Sequence, residues 1–332
     1  MEKNALCKLL DVQFPIMQAP MNWVSGAMLV AAVSNAGGVG TLGPNAGAKA
    51  VTTDLELTGE RLRDQIRMVR SLTEKPFAVN IPIGTKEQHK YADRFLEVVL
   101  EEHVSIVVVS AGSPARYTQR LKEAGIKVLH VISSATHARK AEEAGVDAVV
   151  CGGFEAGGHK GLEDLSLFSL IPMVASVVKI PVVAAGGICD ERGLVAALSL
   201  GADGVYMGTR FMVTHEADAH ARIKDAVISA KDACTMCMPI GHALIRGLKN
   251  GFYETYLQVK ASASPEELDH FTKEHAAYHA LVLGDSESSE IPCGQGAGMI
   301  GELVGAAEVI EKMVKGVAPL LKRLQGELGN FG

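Results

Sequence analysis

Asp147-Ala-Val-Val-Cys-Gly-Gly-Phe-Glu-Ala-Gly-Gly-His159-Lys-Gly161 runs from a short apolar strand into a string of glycines that holds one glutamate and one histidine. Glycine lets a backbone turn sharply and approach a bound molecule closely. An imidazole in such a loop titrates near neutral pH, where proton chemistry can use it. The plainer reading is a tight surface turn with an incidental histidine. What surrounds the stretch decides between them.

Working outward, similar apolar runs recur on both sides. Before it lie Phe14–Ala19, Gly38–Leu42, Phe77–Ile81, Ser105–Val109 and Lys127–Val131; after it lie Pro181–Ala185 and Gly204–Met207. With Ala148–Val150 these make eight runs. They are short, rich in Val and Ile, and do not alternate with polar residues, as expected of parallel strands covered on both faces. Amphipathic helical patterns separate them: Gly26–Ser34, Arg61–Arg70, Tyr91–Glu102, Pro114–Ala124, Ala135–Ala144, Ser166–Val178 and Glu191–Leu200. Several end in a small-residue break, such as Ala124-Gly125 and Ala144-Gly145, where glycine can close a helix in the left-handed conformation.

Eight strands alternating with helices fit a (β/α)8 TIM barrel or a doubly wound open sheet. The open sheet calls for Gly-x-Gly-x-x-Gly after its first strand. Gln18-Ala-Pro-Met-Asn22 stands there instead, so the sequence predicts the barrel. After Met212 the repeat stops. Helical segments are expected at Ala219–Ala233, Ile240–Asn250 and Pro265–Leu283, and a final amphipathic helix at about Glu302–Glu327. This predicts a barrel over residues 1–212 plus 298–332, with a small helical lid subdomain, 213–297, inserted after the eighth strand. A separate C-terminal domain is the competing division.

Composition narrows the function classes. The chain has 332 residues, a net charge of −6 and 5% aromatics, which argues against nucleic acid or an anionic membrane as partner. No charged residue occurs from Val12 to Ala48, but prolines, asparagines and glycines break that segment. Its longest helical piece is about 11 residues, against the roughly 20 needed to span a bilayer. The N-terminus has no apolar run suited to a signal peptide, and six scattered cysteines read as reduced thiols of a cytoplasmic protein. Cys234-Thr-Met-Cys237 has redox or half-zinc spacing but no second pair, and no His/Asp/Glu set has metal-ligand spacing, so no metal site is expected.

Barrel enzymes carry their chemistry at the C-terminal ends of the strands. Those ends offer Gln18-Ala19-Pro20-Met21, Asn80, Ser110-Ala111-Gly112, His130, the Gly152–Gly161 loop, Gly186-Gly187 and Gly208-Thr209. The loops after the last two strands form the usual phosphate site of such barrels, and Gly186-Gly187 and Gly208-Thr209 match it by position. An aldolase needs a lysine at a strand end for a Schiff base; Lys160 is in the loop and Lys127 begins its strand, which weakens that reading. Glu155 reads as a partner of Lys160 or a helix cap, Arg210 as a structural ion-pair residue, and His215, His220 and His242 as packing or surface residues.

Phe154-Glu-Ala-Gly-Gly-His159-Lys-Gly161, Ala184-Ala-Gly-Gly-Ile188 and Met207-Gly-Thr-Arg-Phe211 together resemble the nitronate monooxygenase family, formerly 2-nitropropane dioxygenases. They resemble equally the flavin-dependent enoyl-ACP reductases II and some NAD(P)H:quinone reductases. The similarity runs from Phe14-Pro-Ile-Met-Gln-Ala-Pro-Met21 to Gly294-Gln-Gly-Ala-Gly-Met299. It implies an FMN barrel in which Ala19, Pro20, Met21 and Asn80 lie near the ring and ribityl chain. Gly186, Gly187, Gly208 and Thr209 would hold the phosphate, Gly157 and Gly158 would let the loop approach the flavin, and His159 would match the catalytic histidine. By position, Ser110 and His130 join the cofactor set.

The resemblance favours nitronate oxidation with dioxygen. Under the reductase alternative NAD(P)H is the reductant and the substrate an enoyl thioester, which brings in acyl carrier protein as a partner. A homodimer is admitted, and a non-catalytic flavin- or phosphate-binding barrel is the reading from a different class.

Overall fold

The structure, a computed structural model, describes residues 4–240 and 243–329. Eleven strands are described: β1 Ile16–Gln18, β2 Thr41–Leu42, β3 Ala78–Pro82, β4 Ile106–Ser110, β5 Lys127–Ile132, β6 Ala148–Gly152, β7 Gly158–Lys160, β8 Val182–Ala185, β9 Gly204–Met207, β10 Thr235–Ile240 and β11 Ala243–Leu248. Eight of them form one sheet in the order β1-β9-β8-β6-β5-β4-β3-β2. Each neighbouring pair is parallel. The two end strands meet through a parallel bridge between Met17 and Val39, with Gln18 N–H donating to Val39 O at 2.8 Å. The sheet thus closes into a (β/α)8 barrel, with the predicted helices between its strands.

Alternation along the strands sorts the core into two layers. Met17, Ala78, Val108, Leu129, Val150, Val183 and Tyr206 pack in the barrel interior. Their sequence neighbours Ile16, Val79, Val107, Val128, Val149, Ala184 and Val205 face the ring of helices. A helix absent from the sequence expectation, Ala5–Leu10, closes the bottom. Its Leu6, Cys7 and Leu10 join the interior cluster, and a side chain on Gly204 would meet Leu6 at 2.4 Å.

Beyond β9 the segment differs from a purely helical insert. Ile240–Asn250 is not a helix: β10 and β11 form an antiparallel hairpin, and β11 also pairs with β7 to give a second, three-stranded sheet. Ile245 and Leu248 have a helical spacing in sequence, but both are buried on a strand that gains hydrogen bonds on two edges. Ala219–Ala233 shortens to a helix over Ala221–Ile228, and Pro265–Leu283 breaks into helices Pro265–Glu274 and Ala277–Leu281. The last helix is Ala306–Leu328, its first N–H bonded to the Glu216 carboxylate at 2.9 Å. His242 lies outside the described residues. Among the described residues no helix is long and apolar enough to cross a membrane.

Over β10 packs a small core of Met238, Phe252, Tyr253 and Tyr256. Near Tyr253 lies Glu290, 8% exposed, with Oε1 unpaired among the described residues. Burial pushes its pKa up to about 7.

Two stability outcomes are expected. Leu6→Ala opens a cavity under the barrel and should lower unfolding free energy in urea by about 3 kcal/mol. The folded pKa of Glu290 is raised above its unfolded value, so its carboxyl favours the folded state at low pH and that contribution fades from pH 4.5 upward. Glu290→Gln should therefore raise stability at pH 8 relative to wild type and remove that part of the pH dependence; equal stability of the two at pH 8 would contradict this.

Candidate active site

Continuing the interior alternation to the C-terminal ends of the strands places Ala19, Asn80, Ser110, Val131, Gly152, Ala185 and Gly208 in the top layer. Ala19 and Ala185 pack against the interior cluster. Four of these seven residues are Gly or Ala and come from the neighbouring strands β1, β9, β8 and β6, so the barrel ends in a shallow floor that is small-sided on one half. The other half is polar: Asn80 Nδ2 donates to Val108 O at 2.9 Å and to Ser110 Oγ at 3.1 Å. A side chain on Gly208 would come no closer than 3.8 Å to Met21 and 3.9 Å to Ala19, so these three residues meet around open space.

The Ala19–Met21 turn is held from beneath. Gln18, fully buried, donates to Ser25 Oγ at 2.8 Å and to Ala19 O, and its Oε1 accepts from Thr41 N–H at 2.9 Å. Ser25 Oγ in turn accepts from Met21 N–H at 2.9 Å. Trp23 follows with a positive φ of 67°, 7% exposed and 4.9 Å from the Tyr278 ring. A bulky residue in that region is uncommon and marks a backbone fixed by its surroundings.

The loops after β8 and β9 have the character expected of an anion cradle. Gly186 and Gly187 have φ of +133° and +67°, open to glycine at little cost. Gly208 caps the short Thr209–Met212 helix with no side-chain cap. Among the described residues no hydrogen bond takes up the N–H groups of Gly187, Gly208 or Thr209. Thr209 Oγ1 has another task, accepting from Gly294 N–H at 3.0 Å.

The decisive loop leaves β6 and returns as β7. Of the two expectations for Glu155, the structure shows the helix cap: its two oxygens accept from Leu167 N–H at 3.0 and 3.1 Å, closing the N-terminus of the Leu167–Ala175 helix. Gly157 is required by packing and not by ligand approach alone, because a Cβ there would lie 2.5 Å from the Cys293 carbonyl carbon. Gly158 has φ +71° and only Pro292 near it, at 3.7 Å. From Gly158 on the chain is a strand, with Gly158 opposite Arg246, His159 opposite Ile245 and Lys160 opposite Leu244.

Period-2 alternation then divides this strand. Lys160 Nζ donates to Phe154 O at 2.6 Å, and so does Arg246 Nε at 3.1 Å. Both cations lie over the Phe154 ring, at 4.0 and 4.6 Å from its centroid. Burial, with Arg246 next to it, lowers the Lys160 pKa from the ordinary ammonium value. His159 projects from the opposite face, exposed at its edge, and its ring makes no hydrogen bond among the described residues. Crowding by protein atoms lowers its pKa below the usual imidazole value, which favours the neutral ring.

Two sequence expectations change. His130 does not end its strand: β5 runs on to Ile132, and alternation puts His130 on the outer layer with Val128 and Ile132. It is 3% exposed, its Nε2 lies 3.2 Å from Gly112 O, and its Nδ1 is unpaired among the described residues. Arg210 makes no ion pair at short range among the described residues; its donors go to the carbonyls of Glu302 and Val213. Arg246 and Gln18 were not among the predicted site residues. A basic residue amid Leu244, Ile245 and Leu248 was the available signal for the first.

Set against known proteins, the arrangement is that of a TIM-barrel oxidoreductase. A model of the nitronate monooxygenase family matches residues 3–316. A probable nitronate monooxygenase of Staphylococcus aureus (strain MSSA476) is 31% identical over 334 residues, covering 88% of this chain and 91% of that protein. FabK from Thermotoga maritima superposes with a TM-score of 0.89 at 35% identity, covering 98% of this chain and all of that one. A nitroalkane oxidase from Streptomyces ansochromogenes gives 0.83 at 30% identity, with 96% and 99% covered. The chain belongs to the nitronate monooxygenase family.

Burial holds the His130 pKa down at about 4. The folded value lies below the unfolded one, so the unfolded chain binds the extra proton first and stability falls as pH drops from about 6.5 to 4. In urea titrations across that window, His130→Gln should flatten the decline. An unchanged slope would show that His130 is protonated in the folded state.

Proposed function

We propose that the protein is an FMN-dependent enzyme that oxidises alkyl nitronates with dioxygen, releasing the carbonyl compound and nitrite, with His159 as its proton-handling group. One observation carries this reading: an exposed imidazole, its pKa lowered by the protein atoms around it and its ring without a hydrogen bond among the described residues, on a strand fixed by pairing at the end of the loop that leaves β6. A general base must be unprotonated and free to meet its substrate. Given a nitroalkane, His159 takes the α-proton and the resulting imidazolium then pairs with the nitronate anion. Given a nitronate, the same ring orients it.

The residues present suit a flavin nucleotide. Free N–H groups of Gly187, Gly208 and Thr209 are suited to its phosphate. Ala19, Pro20 and Met21, braced by Gln18 and Ser25, would face the ring system, with Asn80 and Ser110 toward the ribityl hydroxyls. When bound, FMN supplies the electron-accepting chemistry of the oxidation. His130 is left out of this set by its outward face. Six cysteines held as thiols and not joined in disulfides suit a reducing, cytoplasmic setting.

The 0.89 superposition on FabK favours a second reading, NAD(P)H-dependent reduction of an enoyl thioester, in which His159 donates its proton to the α-carbon and acyl carrier protein delivers the substrate. Anaerobic stopped-flow spectroscopy separates the two. Oxygen uptake on propyl-2-nitronate, with sluggish bleaching by NADH and NADPH, is the outcome expected. Rapid bleaching by either nucleotide, reversed by crotonyl thioester, would replace nitronate oxidation with the reductase. Under either reading His159→Asn should cut kcat by about 100-fold or more. The acid limb of kcat/KM should fall with an apparent pKa below 6.5.

A further inference from the structure

We infer that Arg246 is a positioning residue for His159, and that the 235–248 hairpin serves the reaction through it. The inference rests on the proton-handling role proposed for His159. The loop from Gly153 to Gly158 contains three backbone glycines besides Phe154, Glu155 and Ala156, and such a run has many conformations to lose on ordering. Arg246 ties its two ends together. Its backbone stands opposite Gly158, at the start of the strand that carries His159. Its side chain returns to Phe154, at the other end, with Nε 3.1 Å from the carbonyl oxygen and the guanidinium plane over the ring.

The clamp is itself anchored. Arg246 is 3% exposed, and its Nη1 donates to Thr235 Oγ1 at 3.0 Å across the hairpin. Its hydrogen bonds therefore go to a carbonyl and a hydroxyl and not to a carboxylate, leaving a buried cation whose partners are fixed by the loop. Lys160 completes the clamp from the same face and shares the Phe154 carbonyl. With both heads on one face, His159 is directed to the other. A guanidinium reaches two acceptors in one plane, which an ammonium at the same position cannot do. Small errors in placing a proton-transfer group cost large factors in rate.

The test is a double-mutant cycle on the flavin-loaded enzyme with Arg246→Met, His159→Asn and the pair. Arg246→Met is expected to lower kcat on the order of 10- to 100-fold with KM and bound flavin little changed. In the His159→Asn background it should cost nothing further, because the residue it positions is gone. Hydrogen exchange should rise in residues 154–160 while the barrel strands keep their protection. Arg246→Lys retains the charge and should recover only part of the rate; it replaces the Met variant in the cycle if that variant does not fold. Losses that multiply in the two backgrounds, or no loss in Arg246→Met, would overturn the positioning role alone. A fully active His159→Asn would instead overturn the catalytic reading of His159 on which it rests.

Discussion

Backbone pairing between Gly158–Lys160 and Leu244–Arg246 is the contact on which the rest of the site depends. It joins a loop rising from the sixth barrel strand to a hairpin encoded some 80 residues later, and it turns a glycine-rich turn into a strand. Once that strand exists, alternation alone decides that Lys160 faces Phe154 and His159 faces away. The imidazole owes its direction to the main-chain pairing of the strand that carries it, and its ring makes no hydrogen bond among the described residues. Ile245, directly opposite, is buried at 3% exposure.

Around this strand the barrel supplies a surface of a different kind. Its interior is filled by branched and aromatic side chains up to the level of Val108, Val150 and Tyr206, and one step higher gives way to Ala19, Gly152, Ala185 and Gly208. The change in side-chain size at one level of the closed sheet creates the floor. Polar groups then appear where they can be oriented: Asn80 against Ser110 on adjacent strands, and unpaired N–H groups where β8 and β9 end. The positive φ at Gly186 and Gly187 aims the latter.

Much of this was legible in the chain. The eight apolar runs became eight parallel strands because each is local and covered on both faces, so burial, Val and Ile content and glycine breaks all agree. Most boundaries moved by one or two residues. The insert was harder to read: Ala243–Leu248 satisfies a helical spacing and a strand pattern equally, and the choice is made by two partners distant in sequence. His130 shows a related difficulty. Counting to the end of a strand needs the strand's length, and an extension to Ile132 reverses the face on which the ring falls. Arg246 stands out in sequence only as a basic residue in an apolar run; its task could not be read there, because its partner, Phe154 O, is a main-chain atom that no side-chain pattern announces.

The seating of Trp23 has a consequence beyond the barrel rim. The chain contains a single tryptophan, and its ring lies tilted against Tyr278 with centroids 4.9 Å apart; the Tyr278 hydroxyl donates to Lys49 O at 3.0 Å. Two residues before it lies Met21, on the turn braced by Gln18 and Ser25. The molecule therefore carries a built-in optical reporter at the seam between the first barrel loop and the segment that follows the last strand. Any separation of that segment from the barrel would move an indole from an aromatic contact into water, so its emission colour reads the seam directly, without a label.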